Sequence, residues 1–286
     1  PPPLFFLMIR LPPRSTQGVS SAASDVYKRQ GRLRGIGRAA AVALARLGAD
    51  VVITGTGRDP ASFPDDEKAV NWKDVESVAE QVRAEGQRAL TLTVDVTSRE
   101  DVQNMIDRTV EEFGRIDILI NNAAFARGVD RVPILDLDED IFQKVMDIKV
   151  TGTFLCTKAA ISHMISQGEG GKIVNISSTA GKRGSANTLA YNGANFAIVG
   201  MTQSMAHELG PHNINVNAVC PGAVDTHRMD VLGRGDVWDN MAGRTPIGRN
   251  GTDDEVGDFC AYLCTEAASW IHGQSINQNG GTVMEH

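Results

Sequence analysis

Apolar and polar positions switch between two periods along most of this chain. Ile36 to Leu47 follows an Ala-rich helical pattern that Gly48 ends. Val51-Val52-Ile53-Thr54 then reads as a short strand, apolar on both faces. Thr56 to Trp72 carries two prolines and several charges and reads as a loop. Beyond it the pattern predicts helices over 75–84, from the Ser98 cap to about Phe113, over 138–167, over 188–209 and over 253–264. Strands are expected over 89–96, 116–120, 172–177, 214–219 and 275–279. Residues 223–252 hold glycines and charges without a sustained period, which reads as a mobile loop with short helices. Its Met229, Val231, Leu232, Trp238 and Met241 suggest an apolar pocket lid. Strands such as VVIT, ILI and KIVNI are apolar throughout, as in a parallel sheet covered by helices on both faces. The expected fold is a single α/β domain over residues 31–286, with a doubly wound parallel sheet.

Residues 1–30 do not share this pattern. PPPLFFLMIRLPPRST is rich in proline and has neither period, and SSAASDVYKRQ is polar and unpatterned. The segment reads as a foreign or disordered leader, and DVYKRQ resembles translated sequencing-adapter sequence. The first strand of the sheet is therefore expected to be missing or rewritten, with two strand edges left exposed and no core contacts from residues 1–26.

Composition narrows the function classes. Of 286 residues, 42% are hydrophobic and 22% charged, which fits a globule and not a disordered chain. Lys plus Arg is 28 and Asp plus Glu is 35, a net charge of −7, which argues against nucleic acid as a partner. No apolar run approaches the ~18 residues of a membrane span, so no membrane partner is expected. Cys156, Cys220, Cys260 and Cys264 are too few for a disulfide framework and read as reduced core residues of a cytoplasmic protein.

Candidate chemistry begins at Gly31-x-x-x-Gly35-Ile36-Gly37, which leads directly into a helix. Glycines let backbone approach a pyrophosphate, and a helix start offers free N–H groups. Alone, the segment is either such a cradle or an ordinary loop-to-helix turn. No carboxylate follows the next strand, where Gly55, Thr56, Gly57 and Arg58 stand. An acidic residue there would suit the ribose of NAD. Arg34 and Arg58 suit a 2′-phosphate, or are solvated surface charges.

Further segments follow the later strands: Asp95-Val96-Thr97, Asn121-Asn122-Ala123-Ala124, Asn175-Ile176-Ser177-Ser178 and Pro221-Gly222-Ala223-Val224-Asp225-Thr226. Tyr191 lies 13 residues after Ser178. Together with the glycine turn, these resemble the short-chain dehydrogenase/reductase family from Gly31 to the end, near its alcohol/carbonyl and 3-oxoacyl-(acyl-carrier-protein) reductase members. The resemblance implies a Rossmann-type fold and an oxidoreductase moving hydride between NADP(H), or else NAD, and a small carbonyl or secondary alcohol. It implies that Tyr191 exchanges a proton with the substrate oxygen and Ser178 hydrogen-bonds it. A phenol of pKa ~10 needs nearby positive charge to do this near neutral pH. It further implies cofactor contacts from Gly31, Arg34, Gly35, Ile36, Gly37 and Arg58, and from Asp95 and Val96 at the adenine. Asn122 and Ala123 would lie at the ribose, Pro221 and Gly222 beside the nicotinamide, and Val224 and Thr226 at its carboxamide. A homotetramer is the family's expected assembly.

Two departures matter. The family has Lys four residues after the Tyr, where this chain has Asn195, and Asn on the preceding long helix, where this chain has Lys149. The two residue types are exchanged, which keeps a second reading open: a dinucleotide-binding protein with impaired catalysis. A purely structural partner is a third. Lys149 and Asn195 therefore join Ser178 and Tyr191 as the residues on which activity turns. No metal site is expected. His207-Glu208-Leu-Gly-Pro-His212 lacks a zinc spacing, and Asp136-x-Asp138-x-Asp140 reads as an acidic helix start and not a calcium loop.

Overall fold

The computed structural model describes residues 6–10, 35–57, 61, 63–233 and 235–284. In chain order the elements are β1 (Phe6–Arg10), α1 (Ile36–Arg46), β2 (Asp50–Gly55), α2 (Asp65–Ala69), α3 (Val75–Ala84), β3 (Ala89–Thr93) and α4 (Arg99–Phe113). Then come β4 (Ile118–Asn121), α5 (Glu139–Met146), a π-helical turn (Asp147–Thr151), α6 (Gly152–Gln167), β5 (Gly171–Ile176) and α7 (Leu189–Leu209). The remainder is β6 (Ile214–Pro221), β7 (Val224–Asp225), α8 (Asp236–Gly243), β8 (Gly251–Thr252), α9 (Asp253–Leu263) and β9 (Ser275–Gln278).

Seven strands form one sheet in the order β3-β2-β1-β4-β5-β6-β9, and β7 pairs with β8 beside it. Side chains alternate across each strand, so one apolar strand feeds two cores. Val51, Ile53, Ile118 and Ile120 join a cluster under α1, α3 and α9, while Val52 and Leu119 join one under α4 and α6. This double burial is why the strands read as unbroken apolar runs. Helices α1 and α9 touch at backbone distance: a Cβ on Gly257 would lie 2.4 Å from the carbonyl carbon of Ala39. At the same contact Arg38, nearly enclosed, reaches Asp253 at 2.7 Å and Asp254 at 2.8 Å. Asp253 also accepts the N–H of Gly35 at 2.8 Å, which fixes where α1 starts.

The expected order of elements holds, with local differences. The segment 56–72 contains the short helix α2, whose first turn is three acidic residues suited to a helix start. Ser98 caps α4 by accepting from the N–H of Asp101, and Asp138 caps α5 by accepting from that of Ile141. The long helix 138–167 is interrupted by the π turn, which places Lys149 out of step with either flank. All four cysteines are buried and unbridged.

The leader requires a correction. Phe6–Arg10 occupies the slot between β2 and β4, so the two edges expected to be open are paired. Leu7 stands opposite Ile53 on one side and Ile120 on the other, and both pairings are antiparallel. The physical reason is that β2 and β4 each present unpaired N–H and C=O groups at the centre of the sheet. A five-residue extended segment can satisfy both rows in either direction. Such a segment is too short for a period to be visible. Residues 1–5 and 11–34 lie outside the described residues, so the foreign origin of the leader is not addressed by the fold.

This pairing makes a test. Met8 stands opposite Val52 and Leu119 in the middle of β1, and proline there removes a ladder donor. Met8→Pro is expected to lower the melting temperature by at least about 5 °C, the shift that a loss of roughly 2 kcal/mol produces in a domain of this size. An unchanged melting curve would place β1 outside the sheet.

Candidate active site

The carboxyl ends of β4 and β5 are fastened from below by a buried chain of polar side chains. Asn121 donates through Nδ2 to Thr157 on α6 at 3.1 Å and to Asn175 on β5 at 2.8 Å. Asn175 donates to the Thr202 hydroxyl on α7 at 2.9 Å, and Thr202 donates to the carbonyl of Ile198 at 2.8 Å. These bonds fix α6 and α7 against the two strand ends, while Asn121 Oδ1 is buried without a hydrogen-bond partner among the described residues.

Beyond β5 the chain turns through Ser177 and Ser178 into the start of α7. The Ser177 hydroxyl donates to the carbonyl of Asn195 at 3.0 Å. A Cβ on Gly181 would lie 2.7 Å from both the Asn195 carbonyl oxygen and Ser177 Oγ, so only glycine lets the turn seat there. Ser178 Oγ accepts from the N–H of Ala180 at 3.1 Å. Asn192 ties α7 to the same turn, donating to the carbonyls of Ala180 at 2.7 Å and Arg183 at 2.8 Å. Tyr191, half-buried, is therefore held in the corner that Ser178 opens. One helical turn on, Asn195 donates to the Tyr191 carbonyl at 2.8 Å, and its Oδ1 is buried with no hydrogen-bond partner.

Lys149 reaches this corner from the π turn. Its amine donates to the carbonyl of Ala123 at 3.2 Å and to that of Ile176, so it spans the ends of β4 and β5. The side chain is 4% exposed. Burial, and secondarily the charge of Arg228, push its pKa down to about 7.

Three arginines converge here that the sequence reading passed over. The guanidinium carbon of Arg131 lies 3.8 Å from the centroid of the Tyr191 ring, and that of Arg228 lies 5.1 Å from it. Arg228 also donates to the carbonyl of Phe125. Burial, followed by the charge of Arg228, pushes Arg127 below its ordinary value. Burial likewise lowers Arg131, while Asp130, with Oδ2 3.1 Å from Arg131 Nε, opposes the shift. The available signal was the loop after the paired asparagines, Phe125-Ala-Arg127-Gly-Val-Asp130-Arg131, which is too charged for a plain turn. The loop over 223–252 is also less apolar toward the site than expected. Met229 is buried and Val231 is 65% exposed, while their neighbour Arg228 faces the ring.

The positions expected to hold a dinucleotide lie along the same edge. Gly35 precedes α1, and Ile36 and Gly37 open it; Gly31, Arg34 and Arg58 lie outside the described residues. Asp95 is exposed, and its carboxylate accepts from the N–H and hydroxyl of Thr97 at 2.9 and 2.7 Å, turning the chain toward α4. Val96 is buried against Gly152, where a Cβ would approach it to 2.6 Å. Asn122 is half-buried, and Ala123 spends its carbonyl on Lys149. Pro221 ends β6, a Cβ on Gly222 would lie 2.9 Å from Asn279, Val224 begins β7, and Thr226 is buried. Among the described residues, polar atoms along this edge that are buried without a hydrogen-bond partner include the Thr56 hydroxyl after β2, Asn121 Oδ1 at the end of β4 and Asn195 Oδ1 beside Tyr191. An unpaired hydroxyl and an unpaired acceptor fit the sugar and phosphate groups of a dinucleotide.

A family model described as Enoyl-(Acyl carrier protein) reductase matches residues 31–283. The chain is 38% identical over 251 residues to the cis-4-hydroxycyclohexanecarboxylate dehydrogenase of Sinomonas cyclohexanicum, covering 88% of this chain and 93% of that one. It is 33% identical to the 3-oxoacyl-(acyl-carrier-protein) reductase of Synechocystis sp., covering 89% and 95%. Among solved structures it resembles a short-chain type dehydrogenase/reductase from Mycobacterium marinum, with TM-score 0.73, 31% identity and coverage of 88% and 92%. With a doubly wound sheet, a match over residues 31–283 and these relatives, this chain belongs to the short-chain dehydrogenase/reductase family of NAD(P)-dependent oxidoreductases.

Proposed function

We propose that this oxidoreductase interconverts a ketone and a secondary alcohol with NADP(H), using Tyr191 for proton transfer and Ser178 as hydrogen-bond donor to the substrate oxygen. The observation that carries the reading is the corner itself. Asn192 and Ser177 lock the first turn of α7 to the turn after β5, which supports reading Ser178 and Tyr191 as one site. The hydroxycyclohexane named for the Sinomonas relative supports a secondary alcohol.

The bound dinucleotide supplies or accepts hydride at the substrate carbon. The chain's own residues handle charge and position. Ser178 Oγ, already an acceptor from Ala180, keeps its proton to donate to the substrate oxygen. Tyr191 gives that oxygen a proton in reduction and removes it in oxidation. Negative charge then grows on the phenol oxygen, and the Arg131 and Arg228 guanidiniums beside the ring stabilise it. These charges act where the family's Lys would. Asn195 Oδ1 would be available to accept from a ribose hydroxyl of the dinucleotide, and Lys149 holds the ends of β4 and β5 together.

The preference for NADP(H) is supported by the described end of β2, where Gly55, Thr56 and Gly57 present no carboxylate and the Thr56 hydroxyl has no partner. A homo-oligomer fits the half-exposed Phe154 on α6 and Phe196 on α7. A cytoplasmic location fits the unbridged cysteines.

Tyr191→Phe is expected to lower ketone reduction by roughly 10²-fold or more, the scale of general acid–base catalysis, and to leave the NADPH dissociation constant nearly unchanged. Fluorescence titration is expected to give NADPH roughly tenfold tighter binding than NADH, since a charge-assisted contact contributes ~1.5–3 kcal/mol. Full activity in Tyr191→Phe, or tighter NADH, contradicts the respective assignment. Lys149 makes a separate prediction. Its pKa is about 7 when folded against an ordinary 10.5, so between these values the unfolded chain holds a proton that the folded chain does not. Stability due to this group therefore rises with pH across that window. Urea midpoints for the wild type should rise relative to Lys149→Met from pH 7 to 10; parallel profiles would refute the buried amine.

A further inference from the structure

We propose that the substrate carries a carboxylate, and that Arg127 and Arg228 bind it beside Tyr191. This rests on the assignment of Tyr191 as the proton-transfer residue. Among the described residues the charge at this corner is unbalanced. Asp130, 1% exposed, has Oδ2 3.1 Å from Arg131 Nε, and its Oδ1 accepts from the Gly128 N–H at 3.1 Å. That carboxylate neutralises Arg131 in place, against the ring. Arg228 donates to a neutral carbonyl, that of Phe125. Neither Arg127 nor Arg228 has a carboxylate within the 4.0 Å of an ion pair among the described residues. Two half-buried guanidiniums that repel each other are costly unless an anion lies between them. The planar fork of a guanidinium matches a carboxylate in two parallel bonds.

Their location points to substrate. Arg127 follows β4 and Arg228 follows β7, so they come from two separate loops, and Arg228, which faces the Tyr191 ring, bonds the carbonyl of Phe125 two residues before Arg127, which brings the two loops together beside the phenol. A substrate gripped there by its carboxylate would present a carbonyl a few bonds away to Tyr191. The reaction is then an oxo acid plus NADPH plus a proton giving a hydroxy acid plus NADP⁺. Hydride enters at the carbonyl carbon, the proton reaches its oxygen, and the carboxylate is unchanged.

Activity and binding together test this. Reduction of 4-oxopentanoate and 5-oxohexanoate is measured against their methyl esters. Calorimetry compares cyclohexanecarboxylate with cyclohexanecarboxamide on the NADPH-loaded protein. The acids are expected to exceed their esters in kcat/KM by at least tenfold, and the carboxylate to bind more tightly than the amide. Arg127→Gln should cut kcat/KM for the acids and affinity for the carboxylate by roughly 10- to 100-fold and leave the esters within about threefold. Arg127→Lys should restore part of the loss. Arg228→Gln should also weaken carboxylate binding in the calorimetry, and because it removes charge from beside the ring it should lower turnover of acids and esters alike. Carboxylate binding that depends on Arg127 without any turnover would sink the proposed reaction and keep this site. Esters reduced as well as acids, or carboxylate binding indifferent to Arg127→Gln, would overturn the site and keep the reaction. If Arg127→Gln instead weakens NADPH binding in the absence of acid, the arginine serves the cofactor's phosphates and the proposal is wrong.

Discussion

Two backbone carbonyls at the centre of the site, those of Ala123 and Ile176, lie where the sheet has ended and no further strand can donate to them. Buried carbonyls of this kind must find a donor. Lys149 supplies it, spanning both strand ends from a π turn. Such turns insert an extra residue into a helix and recur at functional sites. Here the turn delivers a long side chain to a place that a regular helix would miss. Ile176 accepts from Lys149, the next residue, Ser177, donates to Asn195, and Ser178 opens the crevice toward Tyr191. The exchanged pair is thus fastened to successive residues of one strand end. Taking the amine away leaves those carbonyls unpaired and loosens the frame around the phenol.

The order of elements and the segments at the strand ends were legible in the sequence because both rest on local rules. Apolar runs of strand length, the glycines that follow α1, α3, α4, α6 and α7, and the Asp or Ser before α3, α4 and α5 are visible one window at a time. β1 was not legible, because five residues carry no period and its pairing depends on an unfilled slot between strands that are distant in sequence. The site divided along the same line. That the turn holding Ser178 packs against the helix start holding Tyr191 was readable from their spacing. The role of Lys149 was not, since it depends on the π turn and on carbonyls more than twenty residues away along the chain. The arginines escaped for a related reason: Arg127, Arg131 and Arg228 become a cluster only when two loops fold over one ring. The glycine turn and Arg58 remain as the sequence alone presents them.

Charge connects these parts. A site that lacks the family's Lys after the Tyr gathers positive charge from the opposite side of the phenol. Arg228 bears on each part of that arrangement: it faces the ring, and its charge adds to the burial that lowers Lys149 and Arg127. The proposed proton chemistry at Tyr191 and the proposed anionic substrate both draw on that one concentration of charge. Asp130 keeps it from being larger.

The central claim is that Lys149 and Asn195 form a working pair in exchanged positions and not a damaged site. The direct measurement is turnover in a double-mutant cycle built from Asn195→Lys, Lys149→Asn and both together. The account predicts that Asn195→Lys alone lowers turnover, because a second ammonium enters a buried corner already holding Lys149 and Arg228. It predicts that adding Lys149→Asn recovers much of that loss, with a coupling of about 1 kcal/mol or more, as expected for residues sharing one network. A rise of roughly 10²-fold from Asn195→Lys alone, the scale of a restored acid–base residue, would contradict it.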